Sequence, residues 1–257
     1  MNIRILLAIF LILVLNVNNT FAQRSFDNVV DNSAITIPKK QKKQRLQPES
    51  YVTEFLGIPV DGSKSNMLWN LKNKGFKPIP YHQDILEGEF NGYDVNIHIV
   101  TNKNKVWRIF VADKIKISES AIKTRFNNLC LQFENNSNYI SYEDSQLIPD
   151  SEDISYEILV NDKKYTATYY QTLPSSLDSV KTQRELLELM QEKFTVEELS
   201  NMTEEEYKSE LSDIVWEYTI DLYTSKMVWF TIVEYQNEYY IGMYYDNLHN
   251  AAKGEDL

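Results

Sequence analysis

The stretch ILEGEFNGYDVNIHIVTNKNKVWRIFVA, residues 85–112, decides the fold. It contains three strand-like runs, Ile85 to Phe90, Val95 to Val100 and Val106 to Ala112. Asn91-Gly92 joins the first two runs, and this dipeptide favours a two-residue hairpin because both residues tolerate positive φ. The second run alternates apolar and polar residues, which is typical of a strand buried on one face. The stretch therefore predicts an antiparallel sheet.

Helical patterns lie on both sides of this stretch. Ser63 can act as the N-cap of a short helix, and Gly75 can end that helix at the C′ position because glycine readily adopts the left-handed conformation. Ser118 or Ser120 can cap a second helix, whose apolar stripe runs to Phe133.

The second half of the chain repeats this order of elements. Ile154 to Val160 and Lys164 to Tyr170 flank Asn161-Asp162, which predicts another hairpin. Helices and two aromatic strands follow: Ser175 to Phe194, capping boxes at Thr195 with Glu198 and Thr203 with Glu206, and strands Met227 to Tyr235 and Tyr239 to Asp246. Because each strand pair is joined by a short turn, the sequence predicts an α+β fold with antiparallel sheets, and it allows two related helix-plus-sheet modules.

Charge is distributed very unevenly along the 257 residues, which carry a net charge of −11. Residues 23–50 have six cations and three acids, residues 51–139 have eleven and nine, and residues 140–257 have eight and 25. We therefore divide the chain after residue 22 into a basic flexible leader (23–50), an N-terminal α+β module (51–139) and an acidic, Tyr-rich C-terminal α+β module (140–257).

Residues 1–22 have the pattern of a secretory signal peptide. Arg4 provides a positive start, Ile5 to Leu15 form an apolar run, and the segment ends in small residues that a signal peptidase recognises. We expect cleavage between Ala22 and Gln23. The run is shorter than the roughly 20 residues that span a bilayer, so we expect an exported protein, periplasmic or extracellular, without a transmembrane segment in the mature chain.

The composition argues against several kinds of binding site. The net charge of −11 is unsuited to nucleic acid, whose binding depends on neutralising phosphates with Lys and Arg. The seven glycines show no phosphate-loop or dinucleotide spacing. His82, His98 and His249 are far apart, and Cys130 is the single cysteine. We expect neither cofactor nor metal site, and an internal disulfide is excluded.

No catalytic constellation is legible in the sequence, so we predict no catalytic residue. Ser120 and Lys123 match the string S-x-x-K, but its companion motifs are missing and Ser120 is better explained as a helix cap. Cys130 lies on an apolar stripe, where a buried thiol acts as a small hydrophobic residue. The alternative is a hydrolase whose site gathers scattered carboxylates with His98 or His82.

Tyrosine is concentrated in the C-terminal module, since thirteen of the seventeen tyrosines follow residue 140. Tyrosine suits strands that are covered on one face and wet on the other, and it is also enriched at protein interfaces. Adjacent tyrosines on a strand point one ring to each face. The candidate partner surface comprises Tyr235, Tyr239, Tyr240, Tyr244 and Tyr245.

Several short runs of this chain resemble a widespread group of secreted, uncharacterised proteins from Gram-negative gut-type bacteria. The runs are Phe55 to Gly62, Lys74 to Phe76, Leu86 to Phe90, Lys105 to Trp107, Tyr245 to Leu248 and Gly254 to Leu257. The resemblance implies export and supplies no catalytic or binding residue. The helix-plus-sheet pattern is also similar, more distantly, to the fold of β-lactamase-inhibitor proteins and of small envelope-assembly lipoproteins.

Together these features favour an exported, non-enzymatic protein that binds a macromolecule, either a protein or a polysaccharide. Self-association into a homodimer through an exposed sheet edge is a third hypothesis, beside the hydrolase.

Overall fold

The computed structural model describes residues 51–173 and 179–252. The predicted signal peptide (1–22), its cleavage site, the predicted leader (23–50) and the chain end from residue 253 lie outside the described residues.

An antiparallel sheet of eight strands forms the centre of the fold, in the order β3-β4-β5-β6-β10-β9-β8-β7. Its strands are β3 (Lys77–Ile79), β4 (His82–Phe90), β5 (Tyr93–Asn102), β6 (Lys105–Asp113), β7 (Tyr139–Ser141), β8 (Thr166–Gln171), β9 (Met227–Tyr235) and β10 (Glu238–Asp246). A separate two-stranded ribbon joins β1 (Glu54–Phe55) to β2 (Ile58–Pro59). The predicted α+β class with antiparallel sheets is confirmed.

Six helices lie within the described residues. They are α1 (Lys64–Asn73), α2 (Glu119–Glu134), α3 (Ile154–Asn161), α4 (Ser179–Lys193), α5 (Val196–Asn201) and α6 (Glu204–Thr224). Ser63 caps α1, since its hydroxyl accepts from the Asn66 amide at 3.3 Å. Gly75 follows α1 with φ +103°, and Ser118 is the N-cap of α2. The predicted starts of both helices are therefore confirmed.

Residues 154–161 form helix α3, so the predicted strand and the hairpin at Asn161-Asp162 were wrong. Asp153 caps the helix by accepting from the Tyr156 amide at 2.9 Å. Asp162 ends it in the left-handed conformation, with φ 51°. Positive φ is required at many helix ends as well as in tight hairpins, and the dipeptide serves the first purpose here.

One face of the sheet is covered by α1 and α2. Met67 and Leu71 of α1 are buried in the same core cluster as the inward residues of β5 and β6. Phe126 of α2 packs edge-on against Phe230 of β9, with ring centroids 5.1 Å apart. The buried pair Arg125 and Asp113, 3.4 Å apart, also ties α2 to the end of β6. The opposite face therefore carries the outward residues of the strands.

The described chain divides into two compact units. Residues 51–173 and 222–252 form the sheet unit, and residues 179–221 form the helical unit. The helical unit is an insertion, because it lies in the chain between β8 and β9, which are paired neighbours. The strands of the predicted modules 51–139 and 140–257 share one sheet, in which β6 pairs with β10.

Candidate functional site

Four aromatic side chains form a ladder across the face of the sheet opposite α1 and α2. His98 of β5 pairs with Phe110 of β6, Phe110 with Tyr244 of β10, and Tyr244 with Trp229 of β9. The ring centroids of successive pairs are 5.6, 4.7 and 3.9 Å apart. All four residues are half-buried. We call these residues the aromatic ladder.

Three rings of the ladder lie nearly parallel to one another. Tyr244 is nearly parallel to Trp229, at 10°, and to Phe110, at 19°. The centroid spacings of these two pairs, 4.7 and 3.9 Å, are near the strand spacing of roughly 4.8 Å, so Tyr244 stacks on a ring of each neighbouring strand. His98 is tilted by 31° against Phe110. The ring faces are thus largely used within the ladder, and such cross-strand aromatic pairs stabilise the sheet.

An arginine fixed by a buried carboxylate lies beside the ladder. Asp246 is fully buried and accepts from Arg108 Nε at 2.6 Å and from Arg108 Nη2 at 2.7 Å. The indole Nε1 of Trp229 donates to the same carboxylate at 2.9 Å. The guanidinium also lies over the Trp107 ring, 4.3 Å from its centroid. Bidentate pairing and ring stacking together hold Arg108 in one orientation and compensate its charge.

Gly242 makes room for this arrangement. It lies on β10 between Phe110 of the neighbouring strand and Val233 on the other side. A Cβ at this position would stand 3.0 Å from the Phe110 ring and 3.4 Å from the Tyr244 hydroxyl. A larger residue would therefore push Phe110 away from Gly242, and the absence of a side chain lets the ring lie close to the backbone.

Two of the five predicted surface tyrosines are in the core. Tyr239 is 2% exposed and its hydroxyl lies 2.7 Å from Ser155 Oγ. Tyr245 is 4% exposed and packs against Phe55, with centroids 4.8 Å apart. Because of this burial, the pKa of Tyr245 is raised well above its ordinary value. In each of the adjacent pairs Tyr239-Tyr240 and Tyr244-Tyr245, one ring therefore lies in the core and the other on the opposite face of the sheet, as predicted.

The other three predicted tyrosines remain accessible. Tyr240 and Tyr244 are half-buried, whereas Tyr235 is 50% exposed and has Lys116 Nζ 3.7 Å from its ring centroid. We use the term aromatic face for the ladder together with Arg108, Tyr235 and Tyr240.

Sequence reasoning missed Phe110, Arg108 and Trp229 as members of this face. The alternation in β9 could have identified Trp229, since it is two residues from Thr231 and faces away from buried Val228 and Phe230. In β6 the alternation of buried and accessible residues is interrupted, because the pairing with β5 shifts register at Val100/Thr101. A bulge of this kind changes which side chains share a face, and it is not visible in a single strand.

The two histidines named in the hydrolase hypothesis, His98 and His82, lie in different surroundings. His98 belongs to the ladder, and burial lowers its pKa, although the charge of Asp84 opposes this effect. His82 is exposed at the start of β4. Asp84 is paired with Lys64 at 2.9 Å. Over residues 51–173 and 179–252, no three His, Cys, Asp or Glu residues are grouped in a way that could hold a metal ion.

The two nucleophile-like motifs also have structural roles. Lys123 Nζ donates to the backbone carbonyls of Asp150, at 3.0 Å, and Glu152, at 2.5 Å, so it binds a loop. Cys130 is buried, and this burial raises the pKa of its thiol to about 11. The thiol is therefore protonated at neutral pH, and a protonated thiol is a poor nucleophile.

Both edges of the sheet are short. The edge strands β3 and β7 have three residues each, and β3 contains Pro78, which has no backbone N–H to donate. Short edges and proline both limit pairing with a further strand. The structure therefore gives little support to the hypothesis of self-association through a sheet edge.

Within the part of the chain that the structure describes, no helix combines the length and apolar character that a membrane crossing requires. Comparison of the chain with protein-family models, curated protein sequences and solved structures finds no significant match.

Proposed function

We propose that this chain is an exported, non-enzymatic protein that binds a partner protein through its aromatic face. The observation that supports this most is the preorganised, half-buried array of Trp229, Tyr244 and Arg108. Asp246 accepts hydrogen bonds from Trp229 and Arg108, and Tyr244 stacks on Trp229. Trp, Tyr and Arg dominate the binding energy of protein interfaces, and a rigid array loses little side-chain entropy on binding.

Geometry favours a protein over a polysaccharide or a polyanion. The ladder rings stack on one another, so few ring faces remain for stacking against flat ligands. Arg108 is already paired bidentately with Asp246, so its charge is not available to phosphate or sulfate groups. What the face offers is ring edges, the hydroxyls of Tyr240 and Tyr244, and apolar area, which suits a protein surface.

Site-specific photo-crosslinking tests the proposal. A photoreactive phenylalanine analogue is placed at Tyr235 or Tyr240, and the exported protein is illuminated in its native envelope. Tyr156 on α3 is the matched control, since it is 53% exposed against 50% for Tyr235. We expect one discrete protein adduct from Tyr235 and Tyr240 and none from Tyr156. Equal adducts at all three positions, or none at Tyr235 and Tyr240, would refute a binding role for this face.

Affinity measurements with the purified partner then test which contacts matter. Tyr240→Ser and Tyr244→Ser should each weaken binding about tenfold or more, because buried tyrosines at interface centres contribute strongly. Since the charge on this face is internally compensated, raising NaCl from about 0.05 M to about 0.5 M should change Kd less than about threefold. Strong weakening by salt would point instead to the acidic C-terminal half as the binding region.

Export is tested separately. The N-terminal residue of the mature protein, recovered from the periplasm or the culture medium, should be Gln23. Recovery of the intact N-terminus from the cytoplasm alone would contradict export.

A further inference from the structure

A cavity of about 540 Å³ lies in the sheet unit, on the face that α2 covers. Its floor is apolar and largely aromatic, and the floor residues are buried: Phe76, Leu129, Phe133, Met243 and Tyr245. The cavity is open to solvent, and its volume lies within the range of small-molecule sites.

The rim of the cavity carries one charge of each sign. Lys74 follows the end of α1, and Glu89 lies near the end of β4. Both side chains are exposed, and neither forms an ion pair with any residue that the structure describes. Asn91 and Gln132 close the rim between the hairpin and α2 through a hydrogen bond of 2.8 Å. The two charges are therefore available to a ligand on the floor.

The shape of the cavity depends on two backbone features. Gly88 lies against Phe76, and a Cβ on Gly88 would stand 2.6 Å from Phe76 Cδ1, so only glycine leaves the ring in its present place. Leu56 borders the cavity from the two-residue turn between β1 and β2, with φ 53° and a side chain 37% exposed. A leucine held at positive φ is a strained conformation, and such strain is often found at ligand sites.

We infer that this cavity binds a short apolar peptide with free termini. Its side chains would lie on the aromatic floor, its carboxylate would pair with Lys74, and its ammonium would pair with Glu89. Apolar contact provides most of the affinity, and the two opposite charges select a zwitterion over a fatty acid or a neutral hydrocarbon. This inference is independent of the aromatic face, which lies on the other side of the sheet.

Calorimetric titration of the full-length protein with the dipeptide Leu-Phe tests this inference. We expect saturable, one-to-one binding. The same titration with N-acetyl-Leu-Phe and with Leu-Phe amide should show affinity lowered about fivefold for each blocked terminus, as expected for a partly exposed ion pair.

Protein variants assign each terminus to its partner. Lys74→Gln should weaken the dipeptide about fivefold but leave the affinity for Leu-Phe amide unchanged, and Glu89→Gln should do the same for N-acetyl-Leu-Phe. The matched controls are Lys72→Gln and Glu238→Gln, which are exposed and do not border the cavity. Both controls should bind like the unmodified protein.

A variant of the floor separates cavity binding from surface association. Gly88→Ala displaces Phe76 and should lower the affinity for the dipeptide at least tenfold, while circular dichroism reports that the fold is kept. If Gly88→Ala does not fold, Met243→Leu provides a milder change of the floor, with a smaller loss expected. Absence of dipeptide binding, insensitivity to both terminal blocks, or tighter binding of decanoate than of Leu-Phe would overturn the inference.

Discussion

Tyr81 has a backbone conformation that is poorly suited to its side chain. It has φ 66° in the turn between β3 and β4, and its side chain is 98% exposed, so it gains almost no packing. A non-glycine residue in the left-handed region costs roughly 1–2 kcal/mol, and asparagine tolerates that region best. Tyr81→Asn should raise the free energy of unfolding by about 1 kcal/mol in urea titrations. The control Tyr156→Asn, in helix α3, should give no gain; an unchanged or lower value for Tyr81→Asn would show that the turn is unstrained.

Arg108 and Asp246 form a pair with a large expected effect on stability. Asp246 is fully buried, so removing its partner leaves an uncompensated charge in the interior. Arg108→Ala should lower the free energy of unfolding by about 3 kcal/mol. A double-mutant cycle with Asp246→Ala should reveal a coupling above about 1 kcal/mol. Lys208→Ala is the contrasting case, since its pair with Glu204 is exposed and should contribute less than about 0.5 kcal/mol. Similar losses of unfolding free energy in Arg108→Ala and Lys208→Ala would contradict the expectation that the buried pair contributes more than the exposed one.

At the level of elements, the helical unit depends on its caps. Its core is small, with the buried residues Leu186, Met190, Leu211, Ile214 and Val215. Thr195 and Thr203 each begin a helix with a complete capping box, in which Glu198 and Glu206 accept from the backbone at 2.7 and 2.8 Å. Thr195→Ala and Thr203→Ala should each lower the free energy of unfolding of the helical unit by about 1 kcal/mol.

Hydrogen exchange of individual amides measures this effect where it occurs. Amides of α4 to α6 should exchange faster in both variants, while those of β5, β6 and β10 should not change. Ser200→Ala is the control, because Ser200 bonds within α5 to the Val196 carbonyl and caps nothing. Acceleration spread equally over both units would show that they do not open separately.

Elements fixed by local chemistry were predictable, and those fixed by distant pairing were not. Asn91-Gly92, Ser63 and the two capping boxes carry their signal within a few residues. Helix α3 was missed because its end at Asp162 uses the same positive φ as a hairpin. The pairing of β8 with β9 across the helical unit has no local signature, and the ladder depends on the register of four strands. Of the aromatic face, the tyrosines and, in a different role, His98 were therefore named from the sequence; Trp229 could also have been named from the alternation in β9, whereas Arg108 and Phe110 could not.

For the whole molecule, buried tyrosines set the response to high pH. Burial raises the pKa of Tyr139, Tyr169 and Tyr245 above the ordinary value of 10.0. The unfolded chain therefore loses these protons first, and the stability that is full below pH 10 falls as pH rises above it. Lys226 acts in the opposite sense up to pH 10.5, because burial lowers its pKa.

Urea unfolding at a series of pH values between about 9 and 11 tests this expectation. Tyr245→Phe and Tyr139→Phe should each flatten the fall in stability above pH 10, and comparison with the unmodified protein cancels the contribution of Lys226. Tyr81→Phe should leave the slope unchanged, since Tyr81 is almost fully exposed. An identical slope in all four proteins would contradict a role for the buried hydroxyls.

The place of the helical unit in the chain has a consequence for engineering. Strand β8 ends at Gln171 and β9 begins at Met227, and the Gln171 amide donates to the carbonyl of Lys226, the residue before β9, at 3.0 Å. The two junctions are thus one hydrogen bond apart. Because the entropy cost of closing a loop grows only with the logarithm of its length, the stability of the sheet depends only weakly on how many residues connect the two junctions. The helical unit, residues 179–221, therefore occupies an insertion site where a foreign domain or a short hairpin can replace it, provided that the largely buried segment Leu222 to Lys226 is kept with the sheet unit.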